Sequence, residues 1–453
     1  MIMKYDIVVI GGGAGGFTAC LEAKRLYPDK SVLMIRRDEH TLIPCAIPYI
    51  AGALGGDLNK NILPDSPLKD SGVEILIDEV VKIDRESKTV ETKNGKVIGY
   101  DKLILALGST SIIPKPLQTD LENVFIMNKS YNYVKKLIEA IKESDKIVVV
   151  GGGVAGVEFT DDMIRLGKNI SIVEILPNIL LLNFDEEIAS IAADKLKEAG
   201  VKLYTNTSVT GYIGEGGRVK GVKLSNGTVL DADMVLITIG VKPNSGLAAE
   251  AGLKIAENGA IEVDEYMRTS DPNIYAIGDC ALKRDIFTGS PAPYLLASVA
   301  AYEARIAVEN LYGVKSVKPF KGIIPVLLTT IRGLCFGAAG LIESTAKRYG
   351  IEYVKETHET VDIHPGTLTT PNKITMKMLF SSKNYRLLGV QAVGGKSISE
   401  LINLLAFAIS RGVNIYDLHM LPYGTQPYLT ASPIAYPVPN IASKILKRIF
   451  SSN

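Results

Sequence analysis

Two glycine-rich turns limit what this chain can become. Gly11-Gly12-Gly13-Ala14-Gly15-Gly16 and Gly151-Gly152-Gly153-Val154-Ala155-Gly156 each follow a short apolar run, residues 5–10 and 146–150, and each opens a helical pattern. In a strand–turn–helix setting such glycines let the backbone approach a pyrophosphate, whose charge then faces the helix N-terminus. A pair of these turns in one chain implies two dinucleotides, with electron transfer between them.

A length of 453 residues allows roughly three domains. The formal net charge of +1 removes the electrostatic case for nucleic acid. The start, Met1-Ile2-Met3-Lys4, runs straight into the first strand pattern, so no signal peptide is expected. No apolar stretch is long enough for an integral membrane segment. Cys20, Cys45, Cys280 and Cys335 are spaced for neither a zinc site nor a disulfide framework. The expectation is therefore a cytoplasmic protein without a bound metal.

Residues 1–112 read as a βαβ start, an irregular Pro/Gly-rich segment over 41–67, and short strands closed by the buried run 100–108, which ends at Gly108. Residues 113–244 repeat the plan, with the second turn, a helix, a strand over 170–174 and a closing run over 232–240 that ends at Gly240. Residues 269–280 return to strand character and stop at Gly278-Asp279-Cys280; a helix follows over 295–311. The fold class is α/β: two Rossmann-like dinucleotide-binding domains, 1–112 with 245–324 and 113–244, plus a C-terminal α+β domain over 325–453. In that last domain a strand is expected over 373–380 and a helix over 397–411.

Taken in order, the first turn, the Gly108 run, the second turn, the Gly240 run and Ile277-Gly278-Asp279-Cys280 resemble the two-dinucleotide flavoprotein disulfide reductases over nearly the whole chain. Pro44-Cys45-Ala46-Ile47-Pro48-Tyr49 is similar to their single-cysteine branch of coenzyme A-disulfide reductases, NADH oxidases and peroxidases, and sulfur and persulfide reductases. The resemblance implies FAD on the first turn, NAD(P)H on the second, and a third domain that builds a homodimer.

By that resemblance Gly11, Gly13 and Gly16 carry the FAD pyrophosphate, Asp279 holds the ribityl chain, and Ala14, Gly108 and Gly278 belong to the same cofactor site. Leu296 and Ala297 open a helix whose N-terminus faces the flavin. A ribose-binding acid is expected roughly 20 residues past each turn. In the second half it is Glu174, which favours NADH while leaving NADPH open; Gly151, Gly153, Gly156, Glu158 and Gly240 complete that site. In the first half the expected position reads Ile35, followed by Arg36 and Arg37. Either a neighbour replaces the carboxylate or the FAD ribose is held otherwise.

Cys45 is the expected redox centre. It follows Pro44, and residues 46–49 can start a helix, at whose N-terminus a thiol becomes a low-pKa nucleophile. Pro48 fits there only within a first turn. Cys20, Cys280 and Cys335 read as structural. The family's peroxidases and water-forming oxidases carry a histidine inside the first turn, where this chain has Ala14, as in the coenzyme A-disulfide reductases. That loss removes the acid/base group that helps to cleave a peroxide O–O bond. Lys24 and Arg25 fall where the same branch places basic residues for coenzyme A phosphates. The acid that protonates the departing thiolate comes, in this family, from the partner subunit's third domain; His364 and Tyr423 are the candidates, while Gln426 stands where two-cysteine reductases have a histidine. The basic, amphipathic tail over 441–450 either lies on an anionic membrane surface or packs on its own dimer.

The expected enzyme moves two electrons from NADH through FAD to a sulfur substrate by way of a mixed disulfide at Cys45. Coenzyme A disulfide or persulfide is the first substrate, polysulfide the second. Two other readings stand beside it. One is an NADH oxidase or peroxidase that cycles Cys45 through sulfenic acid. The other is an NADH-dependent donor to a carrier protein such as rubredoxin, for which Cys45 is dispensable.

Overall fold

The computed structural model describes residues 3–315 and 322–451, so the first two residues of the chain start and positions 316–321 of the 245–324 stretch lie outside it. The chain divides into two compact units. One holds residues up to Ser144 together with Leu236–Ile323; the other holds Asp145–Val235 and the chain from Ile324 onward.

The first unit is built on a 7-stranded sheet. Its parallel strands run, in spatial order, Val73–Ile77, Val32–Arg36, Met3–Ile10 and Val97–Leu105, with Ile274–Ala276 added late in the chain against Leu103–Leu105. Parallel strands are covered on both faces and must be apolar throughout. Accordingly every residue of Val32–Arg36 is buried, Arg36 included. A hairpin, Val80–Asp84 with Thr89–Thr92, occupies the opening part of the same edge of Val97–Leu105. The run expected over 100–108 is thus strand only to Leu105, and Gly108 turns the chain at φ +71. Helix Ala14–Leu26 buries Gly15, Gly16, Ala19, Cys20 and Ala23, small residues that let helix Ala297–Glu309 pack closely against it. Segment 41–67 is not irregular throughout, since it contains the 3-10 helices Pro44–Tyr49 and Leu58–Asn61.

Gly108 and Gly240, read above as the ends of separate repeats, meet within this unit. Strands Ser109–Ser111 and Val241–Pro243 pair antiparallel beyond them. Ile112 N–H donates to the Gly240 carbonyl at 3.1 Å, and Asn244 N–H to that of Gly108 at 3.0 Å. Compactness therefore groups residues up to Ser144 and from Leu236 with the first unit, and the three-domain division remains our proposal for how the repeat is organised.

The second unit contains the parallel strands Lys146–Val150, Asn169–Val173 and Lys202–Tyr204, with helices Val154–Ile164 and Glu186–Glu198. Its C-terminal part is a 5-stranded antiparallel sheet in the order Val326–Ile331, Leu334–Gly340, Leu387–Gly394, Lys373–Ser381, Tyr353–Val361. Helix Ile398–Ser410 packs on that sheet, one residue shorter at each end than the 397–411 pattern. The basic tail forms helix Pro437–Ser451, which buries Val438, Ile441, Ala442, Ile445 and Leu446 and packs on strand Tyr353–Val361. Arg448 Nη2 donates to Glu356 Oε2 at 2.8 Å. Most of the apolar stripe is thus spent inside its own unit, while Phe450 stays exposed. Among the described residues no helix is long and apolar enough to cross a membrane.

A fully buried lysine ties the two parts of this unit together. Lys377 Nζ donates to Asp185 Oδ2 at 2.8 Å and to carboxylate oxygens of Glu187 and Glu343. Glu343 also accepts from Tyr353 and Lys355, both at 2.6 Å. The three carboxylates lie close enough to hold a metal ion, but the ammonium already supplies the cation. Burial alone raises the Glu343 pKa, yet the bonds from Lys355, Lys377 and Tyr353 outweigh it and bring the group down from 4.5 to about 2. A depressed carboxylate stabilises the fold above its unfolded pKa, so this contribution is complete above pH 4.5 and lost as the pH falls toward about 2. Lys377→Met leaves Asp185 and Glu187 without their cation, while Glu343 keeps Lys355, and is expected to lower stability by about 3–5 kcal/mol. Denaturant midpoints near neutral pH check the size, and a flatter acid limb in the variant checks the cause.

Candidate active site

The first glycine turn is shaped by contacts no side chain could survive. Gly11 sits at φ +114, its N–H donates to the Ile35 carbonyl at 2.8 Å, and a Cβ there would lie 2.1 Å from the Ala106 oxygen. A Cβ on Gly16 would lie 1.9 Å from the Gly11 oxygen. At Gly13 a Cβ would meet nothing within 4 Å, so the turn is open on that side. Gly13 caps helix Ala14–Leu26 with no side-chain hydrogen bond and no acid follows in the first turn, so the N-terminus faces outward without a built-in anion.

The second turn repeats this geometry, and the repeat corrects the first. Gly151 lies at φ +109 and donates to the Val173 carbonyl at 2.9 Å. Glu174 follows, its Oε2 accepting from Gly152 N–H at 2.6 Å and its Oε1 from Leu176 N–H at 2.8 Å. In the first half Ile10 pairs with Ile35, as Val150 pairs with Val173. The residue equivalent to Glu174 is therefore Arg36, and Ile35 is not the acid position. Counting through a helix and a loop misses by one, and one residue along a strand exchanges its two faces. Arg37 is 68% exposed beside Asp38 and Glu79, a solvated charge rather than part of the turn.

Gly278 and Asp279 form a 3-10 turn with Cys280 directly after strand Ile274–Ala276 and Ile277. Asp279 Oδ2 accepts from Ser109 Oγ at 2.7 Å and from Lys129 Nζ at 3.2 Å. Gly278 is clamped by a buried ion pair that no motif announced. Its N–H donates to Glu303 Oε2 at 2.7 Å, its carbonyl accepts from Lys283 Nζ, and Lys283 reaches the same Glu303 oxygen at 3.0 Å. Burial pushes the Glu303 carboxyl up to about 7 against the pull of Lys283. Leu296 caps helix Ala297–Glu309 with its backbone alone, so this N-terminus too has no side-chain cap.

Cys45 is exposed, whereas Cys20, Cys280 and Cys335 are buried and their thiols are pushed up by burial. Its helix is a 6-residue 3-10 segment, Pro44–Tyr49, with Pro48 inside rather than in the first turn. So short a 3-10 helix has little dipole to offer, and exposure rather than a helix terminus makes this thiol the reactive candidate. The segment is stapled from behind: Ile43 N–H donates to the Asn61 carbonyl at 3.0 Å, and Asn61 Nδ2 returns a bond to the Ile43 carbonyl at 3.2 Å. Lys24 Nζ donates to the Pro28 and Lys30 carbonyls at 2.7 and 2.9 Å. Arg25 stands 77% exposed, 3.6 Å from Glu22.

Residues 5–304 match the family model described as pyridine nucleotide-disulphide oxidoreductase, and residues 328–432 match that family's dimerisation domain. The chain belongs to the pyridine nucleotide-disulphide oxidoreductase family. Like the family, this oxidoreductase uses FAD and NAD(P)H. It is 31% identical to the NAD(P)H sulfur oxidoreductase (CoA-dependent) of Pyrococcus furiosus, covering 92% of this chain and 93% of that one. It is 29% identical to an NADH oxidase of Methanocaldococcus jannaschii, covering 98% and 99%. The structure of an NAD-dependent persulfide reductase from A. fulgidus superposes with a TM-score of 0.90 at 30% identity, over 99% of this chain and 84% of that one.

For this oxidoreductase the turns fit the cofactors on steric grounds: closed at Gly11 and Gly16, open at Gly13 and at Gly153, where a Cβ would also meet nothing within 4 Å. Gly156 is buried in helix Val154–Ile164, as Gly16 is in the first half. Gly16→Ala is expected to give a folded but colourless protein, checked by flavin absorbance alongside circular dichroism. Glu158, on the same helix, accepts from Thr329 Oγ1 at 2.7 Å, a link the sequence did not signal.

The two candidate acids of the dimerisation domain differ. His364 Nδ1 lies 2.9 Å from the Thr430 carbonyl. A carbonyl only accepts, so Nδ1 carries the hydrogen and Nε2 is left to exchange a proton. Tyr423 is stacked on Tyr436 with ring centroids 4.1 Å apart, and its hydroxyl already donates to the Pro433 carbonyl at 2.9 Å. Using it as an acid breaks that bond.

Proposed function

We propose that this enzyme uses NADH to reduce the sulfur–sulfur bond of a small persulfide, polysulfide or coenzyme A disulfide. The observation that carries the reading is one exposed cysteine, Cys45, in a chain whose first glycine turn offers only Ala14 where a peroxide-cleaving side chain would stand. Similarity to sulfur and persulfide reductases supports it.

Bound FAD supplies a two-electron relay from NADH. Cys45 thiolate attacks the sulfur–sulfur bond, forming a mixed disulfide and expelling the distal sulfur as a thiolate. His364, contributed by a second copy of the chain, gives that thiolate a proton. Two electrons and a further proton then return Cys45 to its thiolate and release the second sulfur product as a thiol. Gly11, Gly13, Gly16, Gly108 and Asp279 hold the FAD; Gly151, Gly153, Glu158 and Glu174 hold the NADH. A homodimer is supported by the dimerisation domain and by its exposed apolar residues Phe407, Met420, Leu429 and Ile434. The four cysteines form no disulfide within the chain, which supports a cytoplasmic location.

Full-length similarity to an NADH oxidase favours one second reading, oxygen or peroxide reduction through a Cys45 sulfenic acid. The test is to reduce the protein with NADH without oxygen and compare its reoxidation by persulfide, polysulfide, coenzyme A disulfide, oxygen, peroxide and rubredoxin. Sulfur acceptors are expected to react fastest. Faster reaction with peroxide or oxygen, yielding water, overturns the proposal.

A further inference from the structure

Two acids of helix Val154–Ile164, which opens at the second glycine turn, are held by one hairpin of the C-terminal sheet. Glu158 and Asp161 lie three residues apart and so share a face of the helix. Thr329 Oγ1 donates to Glu158 Oε1 at 2.7 Å. Arg332 N–H donates to Asp161 Oδ1 at 3.0 Å, and the Arg332 guanidinium lies 3.6 Å from the same oxygen. Thr329 belongs to strand Val326–Ile331, while Arg332 and Gly333, at φ +48 and +82, make the turn into strand Leu334–Gly340. Attachments one turn apart restrain the helix against rotation about its axis.

Packing alone does not account for a threonine at this place. Thr329 is 5% exposed, and valine has nearly the same shape without the hydroxyl. A buried hydroxyl is unfavourable unless it is bonded, and the acceptor this one meets is a carboxylate. The half-buried Glu158 side chain, which turns about three torsions, is thereby fixed at one oxygen. Resting on the reading that Glu158 belongs to the NADH site, we infer that Thr329 is a positioning residue that aims the Glu158 carboxylate at the nicotinamide carboxamide. An ionised carboxylate only accepts hydrogen bonds, and the donors a nicotinamide offers are its carboxamide N–H groups. Asp161 and Arg332 hold the helix in place while Thr329 sets the carboxylate. Thr329 falls within residues 328–432, so the fit of the nicotinamide is adjusted from the dimerisation domain rather than from the dinucleotide fold.

The experiment titrates the oxidised holoenzyme calorimetrically with NAD+ and with ADP-ribose, which lacks the nicotinamide. Thr329→Val is expected to weaken NAD+ about 5- to 10-fold, the scale of one hydrogen bond, and to leave ADP-ribose within about twofold of the wild type. Thr329→Ser keeps the hydroxyl and is expected to bind NAD+ within about twofold of the wild type. In a Glu158→Ala background, Thr329→Val is expected to add no further loss. Equal weakening of NAD+ and ADP-ribose by Thr329→Val marks a merely structural role and overturns the inference. So does wild-type affinity for NAD+ in Thr329→Val, or a Thr329→Ser protein as weak as Thr329→Val. If Glu158→Ala itself binds NAD+ as tightly as the wild type, the assignment of Glu158 to the NADH site is what fails.

Discussion

Replacing Cys45 with serine is expected to cut turnover of the sulfur substrate about a thousandfold or more, the scale on which loss of a covalent nucleophile registers. Flavin content and reduction by NADH should stay near the wild-type level. A hydroxyl is not ionised near neutral pH, and sulfur–sulfur bonds are attacked by thiolate. No other cysteine can stand in: burial holds the Cys280 thiol at about 11 and pushes those of Cys20 and Cys335 up as well. Anaerobic stopped-flow absorbance separates the two half-reactions. A serine variant that still turns over persulfide at the wild-type rate would mean that electrons leave by another route, such as a carrier protein.

The second large effect is expected at the nicotinamide cofactor. Both Glu174 oxygens are oriented by backbone N–H groups, at 2.6 and 2.8 Å; in the proposed NADH site this carboxylate accepts ribose hydroxyls and repels a 2′-phosphate. Residues 175–183 contain no lysine or arginine to offset it, and Ile175 is 69% exposed. Glu174→Ala combined with Ile175→Arg should lower kcat/KM for NADH about 100-fold and raise that for NADPH, inverting the preference. Steady-state kinetics with both cofactors check this. Unchanged discrimination would move cofactor choice away from Glu174.

Much of this was legible along the chain because the informative residues are local. The glycine turns follow their strands within a few residues, and the backbone geometry they demand is set by the turn itself. Pro44 to Tyr49 carried the reactive cysteine in the same way, although the helix it opens is 3-10 and short. Errors arose where a position had to be counted across intervening structure. The acid position in the first half fell on Ile35 by count and on Arg36 by strand pairing. Lys24 also holds the Pro28 and Lys30 carbonyls, partners that no motif signals.

The amino-acid sequence by itself determined two dinucleotide turns, their order, the Cys45 motif and hence the family. These depend on short-range sterics, in which only glycine tolerates φ near +110, as at Gly11 and Gly151, or a Cβ contact of about 2 Å, as at Gly11 and Gly16. The tertiary structure alone decided which partners complete them. Asp65 reaches Arg36, Ser109 and Lys129 reach Asp279, Lys283 and Glu303 clamp Gly278, and Thr329 reaches Glu158. Most of these partners lie far apart along the chain, and an acceptor can satisfy a buried donor from any segment the fold brings within 3 Å. Spacing specifies the turn; only packing specifies what stands behind it.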